Sequence, residues 1–439
     1  MSRRLILGAF IQGAPSLRWR TPGADLQLAQ RFEPYRAIAE RLEHACFDLL
    51  FMNDLLSIGS AKLDSSALAK LPGTVRWDPL ILLSALAVVT RDIGLVATAN
   101  TTYNEPYTLA RHFAALDCLS NGRAGWNLVT SLDGGENYNR DNHVDHHDRY
   151  ERAEEFFDVV AGLWNSWDED AFPRDRVSGQ WLDTSRMHVL NHRGRHFSVK
   201  GPLNAPRPPQ GKPLITQAGA SPAGCRLGAR TADIVFTAAQ SMDAARQLRS
   251  ELRTMAQTFG RGADALKVMP GVAVYVGATL AEAQANFDRI HAGVDPASAL
   301  MSLSDFASLG TDLSRLPLDA PVPLPAQPPV TQTHRSRQAL VYELIRSTRP
   351  TVRELFRQLS AGGHRVLIGT PQSIADDFET WFEQGAADGF NLMFSHLPGA
   401  VDDFVEQVIP ELQRRGLHQS SYRTGTLREK LSLPSQTAR

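Results

Sequence analysis

The sequence predicts an α/β protein whose eight β–α units close into a (β/α)8 barrel, the TIM-barrel fold. Short apolar runs, typical of strands covered on both faces, alternate with helical segments along the chain. A long polar loop between the run at residues 123–129 and the helix that begins near His147 is typical of a ligand site at the carboxyl end of a barrel strand. The length of 439 residues accommodates one barrel with insertions. An open doubly wound sheet is the structural alternative.

Each expected strand is followed by an expected helix, and both are identified by their hydrophobic period. The eight strands are expected at residues 5–10, 48–52, 93–99, 123–129, 213–217, 233–237, 268–276 and 390–395. The helices are expected at residues 32–45, 80–89, 107–119, 147–164, 223–231, 243–259, 280–291 and 401–414.

Insertions interrupt this repeat at residues 59–77, 165–211 and 294–365 of what we predict to be one domain, 1–439. The second is polar and should form surface excursions. The third contains a proline-dense stretch, residues 317–329, which should be extended and mobile, and we interpret this insertion as a lid over the barrel mouth. The polar tail, residues 417–439, should dock on a neighbouring subunit or remain loose.

Composition excludes several classes of function. There are 46 Lys and Arg residues against 47 Asp and Glu, so no excess charge favours nucleic acid or an anionic membrane. No apolar run reaches the roughly 18 residues of a membrane span. Cys46, Cys118 and Cys225 form no metal-ligand pattern and indicate reduced thiols in a cytoplasmic protein. P-loop and strand-linked Rossmann motifs are also absent.

Three polar residues lie in or just after expected strands. Asp54 follows the second strand, where it could contact a ligand or cap a helix. Thr98 lies at the end of the third strand, and its hydroxyl could donate to a ring atom or serve the fold. Asn127 lies inside an otherwise apolar strand, so a ligand or a neighbouring loop should satisfy its amide.

Two helix starts are candidate anion sites. His146 precedes Tyr150 by one turn at the start of the helix after the fourth strand, where the helix dipole favours negative charge. The run TQAGASPAG, residues 216–224, ends a strand and opens a helix with Ser221 at the cap and Pro222 at the first helical position. Small residues there would let a phosphate approach the backbone, although a capped helix without ligand explains the same letters.

A metal site is an alternative use of the histidines. His143, His146 and His147 lie close to Asp145 and Asp148, and a metal-dependent barrel hydrolase could be built on them. No matching ligand motif follows another strand, so histidines that contact a ligand or cap the loop are the preferred interpretation.

The central stretch resembles a known family. LSNGRAGWNLVTS followed by HHDRYERAEEFFDVVAGLW is similar to the nitrilotriacetate monooxygenase, pristinamycin synthase and dibenzothiophene-sulfone monooxygenase group of the bacterial-luciferase-like superfamily. LVATANTTYNEPYTLARHFAALD, ADIVFTAAQ and IGTPQSIADDFETWFEQGAADGFNLMF agree with it. The similarity extends from the first strand to about residue 430 and departs mainly between 294 and 340.

The resemblance implies a luciferase-like barrel that binds FMN at the carboxyl ends of its strands. It places Asp54, Thr98 and Asn127 at the flavin ring. It places His146 and Tyr150 near the ribityl chain and phosphate, and Ser221 with the backbone of Ala220 in the phosphate cradle.

The resemblance also implies a two-component monooxygenase. A separate NAD(P)H-dependent flavin reductase would supply reduced FMN, and O2 would give one atom to a small organic substrate and the other to water. Oxygenation next to a heteroatom would cleave a C–N or C–S bond. A homodimer or homotetramer is expected. An oxidoreductase of the same superfamily that uses F420 is the alternative.

Overall fold

Eight parallel strands close into a barrel in the computed structural model. The model describes residues 4–14, 16–58, 65–131, 134–139, 146–219, 221–294, 300, 309–325, 327–329 and 335–434. Around the barrel the strand order is β9–β11–β1–β2–β3–β4–β7–β8, and β8 pairs back to β9. The eight expected strands are therefore confirmed, and closure decides for the barrel over the open sheet.

The described elements follow one another in the predicted β–α alternation. The strands are β1 Ile6–Ile11, β2 Leu49–Met52, β3 Gly94–Asn100, β4 Ala124–Val129, β5 His192–Arg193, β6 Ser198–Val199, β7 Leu214–Gln217, β8 Ile234–Thr237, β9 Lys267–Val276, β10 Arg365–Gly369 and β11 Gly389–Met393. The helices are α1 Glu33–His44, α2 Ser65–Leu68, α3 Pro79–Ala87, α4 Pro106–Leu119, α5 His146–Trp164, α6 Pro222–Thr231, α7 Met242–Thr258, α8 Leu280–Ala292, α9 Arg335–Thr348, α10 Val352–Gln358, α11 Pro371–Glu383, α12 Gly399–Gln407, α13 Ile409–Arg414 and α14 Leu427–Lys430.

Alternation along the strands divides the core into two layers. One face of the strands packs inside the barrel, where Leu49, Phe51, Val96 and Leu214 belong to one buried cluster. The other face packs against the surrounding helices in the largest buried cluster. Strands buried on both faces explain the unbroken apolar runs in the sequence.

The β–α units differ from the sequence prediction in two places. The β10 strand and the helix α11 lie between the third insertion and β11, and neither was predicted. β10 pairs with residues 272–276 of β9, beyond the part of β9 that pairs with β8. The single helix expected at 401–414 is two helices, because Pro410 has no N–H group to continue the hydrogen-bond ladder past Val408.

The third insertion forms helices with their own buried cluster. Leucine, valine and isoleucine side chains from α9, α10 and the preceding segment pack together, including Leu313, Val322, Val341 and Leu355. The described part of the proline-dense stretch contains no helix and makes a turn in which Ala320 N–H donates to the carbonyl of Pro317. Val322 N–H donates to the carbonyl of Pro350, and the mobility of this stretch stays a prediction. A solvated excursion would not bury these side chains. The lid function stays a prediction.

The second insertion, residues 165–211, contains the antiparallel pair β5–β6, and most of its side chains are at least partly exposed. No helix in the described part of the chain is long and apolar enough to cross a membrane.

The prediction for the tail is wrong. Leu427, Leu431 and Leu433 pack into the barrel-interior cluster beside the first residues of the strands, so the tail closes the N-terminal end of its own barrel. Arg428 and Asp233, each 3% exposed, form a bidentate salt bridge there. Arg428 Nη1 donates to Asp233 Oδ1 at 3.0 Å, and Nη2 donates to Oδ2 at 2.8 Å. Burial alone would raise the pKa of Asp233, but Arg428 holds it below its usual value.

We expect Arg428→Met to lower the free energy of unfolding by about 3 kcal/mol, because Asp233 would stay buried without its bidentate partner and keep the more distant Arg261, whose Nη2 lies 3.9 Å from Asp233 Oδ1. Chemical unfolding followed by circular dichroism measures this. The matched control is Arg346→Met, which removes an exposed arginine paired with Glu343 and should change stability by about 1 kcal/mol or less. Equal effects of the two substitutions would contradict the assigned role of the tail.

Candidate active site

A row of hydrogen-bonded polar side chains crosses three neighbouring strands. Thr98 on β3, Asn127 on β4 and Thr216 on β7 are paired in the parallel register. Asn127 Nδ2 donates to Thr98 Oγ1 at 2.9 Å, and Thr216 Oγ1 donates to Asn127 Oδ1 at 3.2 Å. Because side chains two residues apart share a face, Thr98 points into the barrel with Val96, and Thr216 with Leu214.

The hydrogen bonds in this row are all donated in the same direction, from β7 towards β3. The Thr216 hydroxyl donates to Asn127, and Asn127 donates to Thr98, so the hydroxyl proton of Thr98 is the donor at the end of the row. A ligand acceptor next to Thr98 would therefore meet a proton and not a lone pair. The neighbouring strands β3 and β7 satisfy the Asn127 amide, in place of the ligand or loop that the sequence led us to expect.

Asn53 extends the row by one strand. The register that pairs Met52 with Ala97 continues to Asn53 beside Thr98. Asn53 Oδ1 is buried and has no hydrogen-bond partner among the described residues. Such an acceptor costs about 1–3 kcal/mol when left unsatisfied, so a ligand N–H group at this point would stabilise the protein. We call Asn53, Thr98, Asn127 and Thr216 the polar layer.

Aromatic rings fill the barrel below the polar layer. Phe10, Phe51 and Phe236 have ring centroids 5.6–5.9 Å apart. Phe51 lies two residues before Asn53 on the same face of its strand, which places the rings one layer deeper. This apolar floor separates the polar layer from the N-terminal end of the barrel and leaves the C-terminal mouth as the side from which a ligand can enter.

Asp54 lies at the rim, where the loop after β2 meets the loop after β4. The two loops are joined by a hydrogen bond from Asn137 Nδ2 to the carbonyl of Leu56 at 3.0 Å. Burial, reinforced by the Asp78 carboxylate, raises the pKa of Asp54 from 3.8 to about 6. Asp54 can therefore hold or release a proton near neutral pH. It caps no described helix, which removes the structural alternative considered for it.

The helices α5 and α6 run parallel and in register. They follow the neighbouring strands β4 and β7. Arg226 Nε lies 3.1 Å from Glu154 Oε1, and Arg230 Nη2 lies 2.6 Å from Asp158 Oδ1. Both partners advance by four residues from the first pair to the second, which is the pattern of two parallel helices side by side.

One turn closer to the helix starts, the same register places Tyr150 beside Pro222 and the cap residue Ser221. The start of α6 is thus level with the second turn of α5, and each helix start has N–H groups without partners inside its helix. The helix α5 begins at His146, one turn before Tyr150. The side chain of His146 lies outside the described residues.

The turn between β7 and α6 is tightly folded around two glycines. A Cβ atom on Gly219 would lie 2.9 Å from Gly224 Cα, too close for any other residue type without a shift of the backbone. Ser221 Oγ accepts from the N–H of Gly224 at 3.1 Å and so caps α6. Ala220, the other residue assigned to this turn, lies outside the described residues.

The structure brings the predicted residues into two groups. Thr98 and Asn127 are bonded to each other, with Asp54 on the adjacent rim, and Tyr150 lies level with Ser221. Sequence reasoning missed Asn53 and Thr216. Asn53 could have been found from its position two residues after Phe51, and Thr216 from its position at the start of the run TQAGASPAG.

The metal alternative has no support from the described residues, which contain no group of three potential ligands among His, Cys, Asp and Glu. His143 and Asp145, and the side chains of His146 and His147, lie outside those residues.

Comparison with known proteins gives a family match over most of the chain. The model of the luciferase-like monooxygenase family matches residues 13–388. Nitrilotriacetate monooxygenase component A of Aminobacter aminovorans is 44% identical over 94% of this chain and 93% of its own length. N-acetyl-S-(2-succino)cysteine monooxygenase of Bacillus subtilis is 41% identical over 98% and 97%, and dibenzothiophene-sulfone monooxygenase of Rhodococcus erythropolis is 38% identical over 91% and 89%.

Solved structures agree. The crystal structure of DmoA from Hyphomicrobium sulfonivorans has a TM-score of 0.86 and 34% identity and covers 98% of this chain and 92% of its own. Riboflavin lyase RcaE, solved with modified FMN and riboflavin, has a TM-score of 0.87 and 30% identity over 99% and 97%. The resemblance noted in the sequence is thereby confirmed.

We expect Asp54→Asn to stabilise the protein above about pH 6 and to have little effect below about pH 4. Between these values the folded protein keeps the Asp54 proton that the unfolded chain has released, so wild-type stability falls as pH rises. Unfolding midpoints across this pH range measure the difference. Asp183→Asn should have the opposite effect and destabilise the protein at neutral pH, because the Ser185 hydroxyl lowers the pKa of Asp183 in the folded protein. Parallel pH profiles for wild type and Asp54→Asn would contradict the assignment.

Proposed function

We propose that this chain, which belongs to the luciferase-like monooxygenase family, is the oxygenating component of a two-component system that uses reduced FMN and O2. The observation that carries this proposal is the juxtaposition of two helix N-termini with the polar layer. The helix ends suit a phosphate, and the polar layer suits a ring with both donors and acceptors.

The phosphate end of FMN would lie at the starts of α5 and α6. Two parallel helix dipoles direct positive charge to this point, and free N–H groups donate to phosphate oxygens. Gly219 and Gly224 contribute no side chains to this turn, and the amide of Gln217 packs against Gly219. Tyr150 and Ser221 would add hydroxyl donors from the two sides, and His146 would lie one turn nearer to the ribityl chain.

The ring end of FMN would lie against the polar layer. Thr98 offers a hydroxyl proton to a ring carbonyl or nitrogen, and Asn53 offers an acceptor to a ring N–H. Asn127 and Thr216 orient Thr98 through their hydrogen bonds. The residues present therefore fit a flavin, which has acceptors and an N–H group along one edge.

Bound reduced FMN would supply the two electrons with which O2 gives one oxygen atom to the substrate and the other to water. The chain itself would bind, orient and exclude water. Phe10, Phe51 and Phe236 close the barrel below the ring, so that water reaches the site only from the mouth. Asp54, with a pKa of about 6, would exchange a proton at its carboxyl oxygen during turnover.

A second protein would have to provide reduced flavin, because the sequence contains no nicotinamide-binding motif. The nitrilotriacetate monooxygenase relative is by name one component of a larger system, and a pristinamycin IIA synthase relative from Streptomyces pristinaespiralis is by name one subunit of its enzyme. We extend this organisation to the present chain, with an NAD(P)H-dependent flavin reductase as the partner and cleavage of a C–N or C–S bond as the outcome for a heteroatom-bearing substrate.

We expect Tyr150→Phe and Ser221→Ala each to weaken FMN binding by about 1–2 kcal/mol, because a charged phosphate would lose one hydrogen bond. Flavin fluorescence titration measures the affinity. Ser221→Ala also removes a helix cap, so Ser241→Ala, which removes the same type of cap from α7, controls for loss of stability. Unchanged affinity in both site variants would exclude them from the site.

The function itself is tested by adding reduced FMN and O2 to the protein with a panel of sulfur compounds, aminopolycarboxylates and long-chain hydrocarbons. We expect oxygen uptake matched by oxygenated product for one class. Reactions without flavin and reactions with catalase separate product formation from futile peroxide release. Turnover that needs F420 in place of FMN, or activity that is lost on metal removal and ignores reduced flavin, would overturn the proposal.

A further inference from the structure

The rim of the barrel opposite the proposed flavin site contains an arginine with an incomplete set of partners. Arg18 lies in the loop between β1 and α1. Its Nη2 donates to the carbonyl of Ser360 at 2.7 Å and lies 3.1 Å from His291 Nε2. The loop is fixed to the chain after β11 by a hydrogen bond from Ser16 Oγ to the carbonyl of Ser395 at 2.7 Å. Arg18 is therefore held in place at the C-terminal end of β1 and β11.

The charge of Arg18 has no counter-ion in the described part of the chain. None of the described carboxylates lies within ion-pair distance of its guanidinium, whereas Arg4, Arg249 and Arg428 each have an aspartate partner. Arg18 Nε is buried from solvent and has no acceptor among the same residues. The cation is thus partly desolvated without the compensation that a buried charge normally has.

A purely structural arginine in the same protein looks different. Arg123 is 2% exposed and also lacks an aspartate or glutamate bonded to it among the described residues, but all three of its guanidinium nitrogens donate to carbonyl or hydroxyl oxygens. Arg18 uses only Nη2 in this way, and neither Nε nor Nη1 has a hydrogen-bond partner within the described ranges. A purely structural role, in which Arg18 links its loop to Ser360, explains the position of only one of the three guanidinium nitrogens.

The groups around Arg18 add no negative charge. Burial, with the Arg18 cation as the second cause, lowers the pKa of both His291 and His396 to about 4, so both are neutral at physiological pH. His291 Nδ1 lies 2.8 Å from the carbonyl of Phe287, to which it donates as a neutral ring, so Nε2 accepts from Arg18. Burial raises the pKa of Tyr275, which keeps its hydroxyl neutral as well.

The charged groups farther from Arg18 do not supply a counter-ion for it either. The Arg289 cation contributes to the lowered pKa of His396 and opposes the rise in the pKa of Asp403. Burial and the nearby Asp402 nevertheless raise the pKa of the Asp403 carboxyl. Arg20 is exposed and lies near the end of α8, beside Gly293. These charges leave Arg18 without an ion-pair partner in the described part of the chain.

We propose that Arg18 is a specificity-determining residue that binds a carboxylate group of the substrate at the barrel mouth. The proposal rests on the proposed function, since the flavin would occupy the arc from β2 to β7 and leave the arc β9–β11–β1 for the substrate. A carboxylate would supply the missing counter-ion and accept from the unused N–H groups. Neutral substrates of similar shape would leave that charge unpaired and would bind less tightly.

The test is calorimetric titration of the full chain at neutral pH with succinate and with succinamide, its neutral diamide. We expect succinate but not succinamide to bind the wild type. Arg18→Met should weaken succinate binding about ten- to hundredfold, the loss of a hydrogen bond to a charged group. Arg18→Lys should retain part of the affinity because it keeps the charge. Arg20→Met, the exposed arginine of the same loop, is the matched control and should bind succinate like wild type.

Flavin titration of the same variants separates the two proposals. Arg18→Met should bind FMN with wild-type affinity, and its thermal midpoint shows whether it is folded. Equal succinate affinity in wild type and Arg18→Met, no succinate binding by wild type, or equal binding of sulfate and succinate would overturn the carboxylate site. Failure of the wild type to bind flavin would instead contradict the proposed function, whatever the result with succinate.

Discussion

Trp126 fixes the register on which the site depends. Its indole is fully buried on the outer face of β4, where it packs against Phe113, Phe156 and Trp164 at centroid distances of 5.7, 6.0 and 6.4 Å. Because successive side chains of a strand point to opposite faces, this anchor turns Asn127 into the barrel. A slip of one residue would exchange the two faces, burying the indole in the barrel and directing the amide into the helical layer.

The rim of the barrel divides into two chemical halves. The arc from β2 to β7 presents hydrogen-bond donors and acceptors in a fixed order and ends at two helix dipoles, which suits a ligand with a polar ring and a phosphate. The arc formed by β9, β11 and β1 presents a cation among neutral histidines. Since the strands are parallel, both halves face the same mouth, and a cofactor and a substrate bound to them would meet over the aromatic floor.

The two ends of the barrel differ in how their buried charges are compensated, although Arg428 Nε at the N-terminal end also has no acceptor among the described residues. At the N-terminal end the tail adds leucines to the core and pairs Arg428 with Asp233. At the C-terminal end Asn53 Oδ1 and Arg18 Nε are buried without partners among the described residues, and Asp54 has a raised pKa. Unsatisfied groups cost stability, and proteins retain them where a ligand satisfies them. The closed end stabilises a fold whose open end is arranged for binding.

The sequence by itself determined the eight barrel strands, the helices between them and the placement of Thr98 and Asn127 in barrel strands, because apolar period and capping residues are local signals. It did not reveal β10, whose run of five residues follows a glycine pair and begins with an arginine. It also misjudged the tail, where Leu427, Leu431 and Leu433 lie among charged residues and resemble a solvated segment. Arg428 and Asp233 are 195 residues apart in the chain. Their pairing could be seen only in the tertiary structure, because the closed barrel brings such distant residues into one desolvated space.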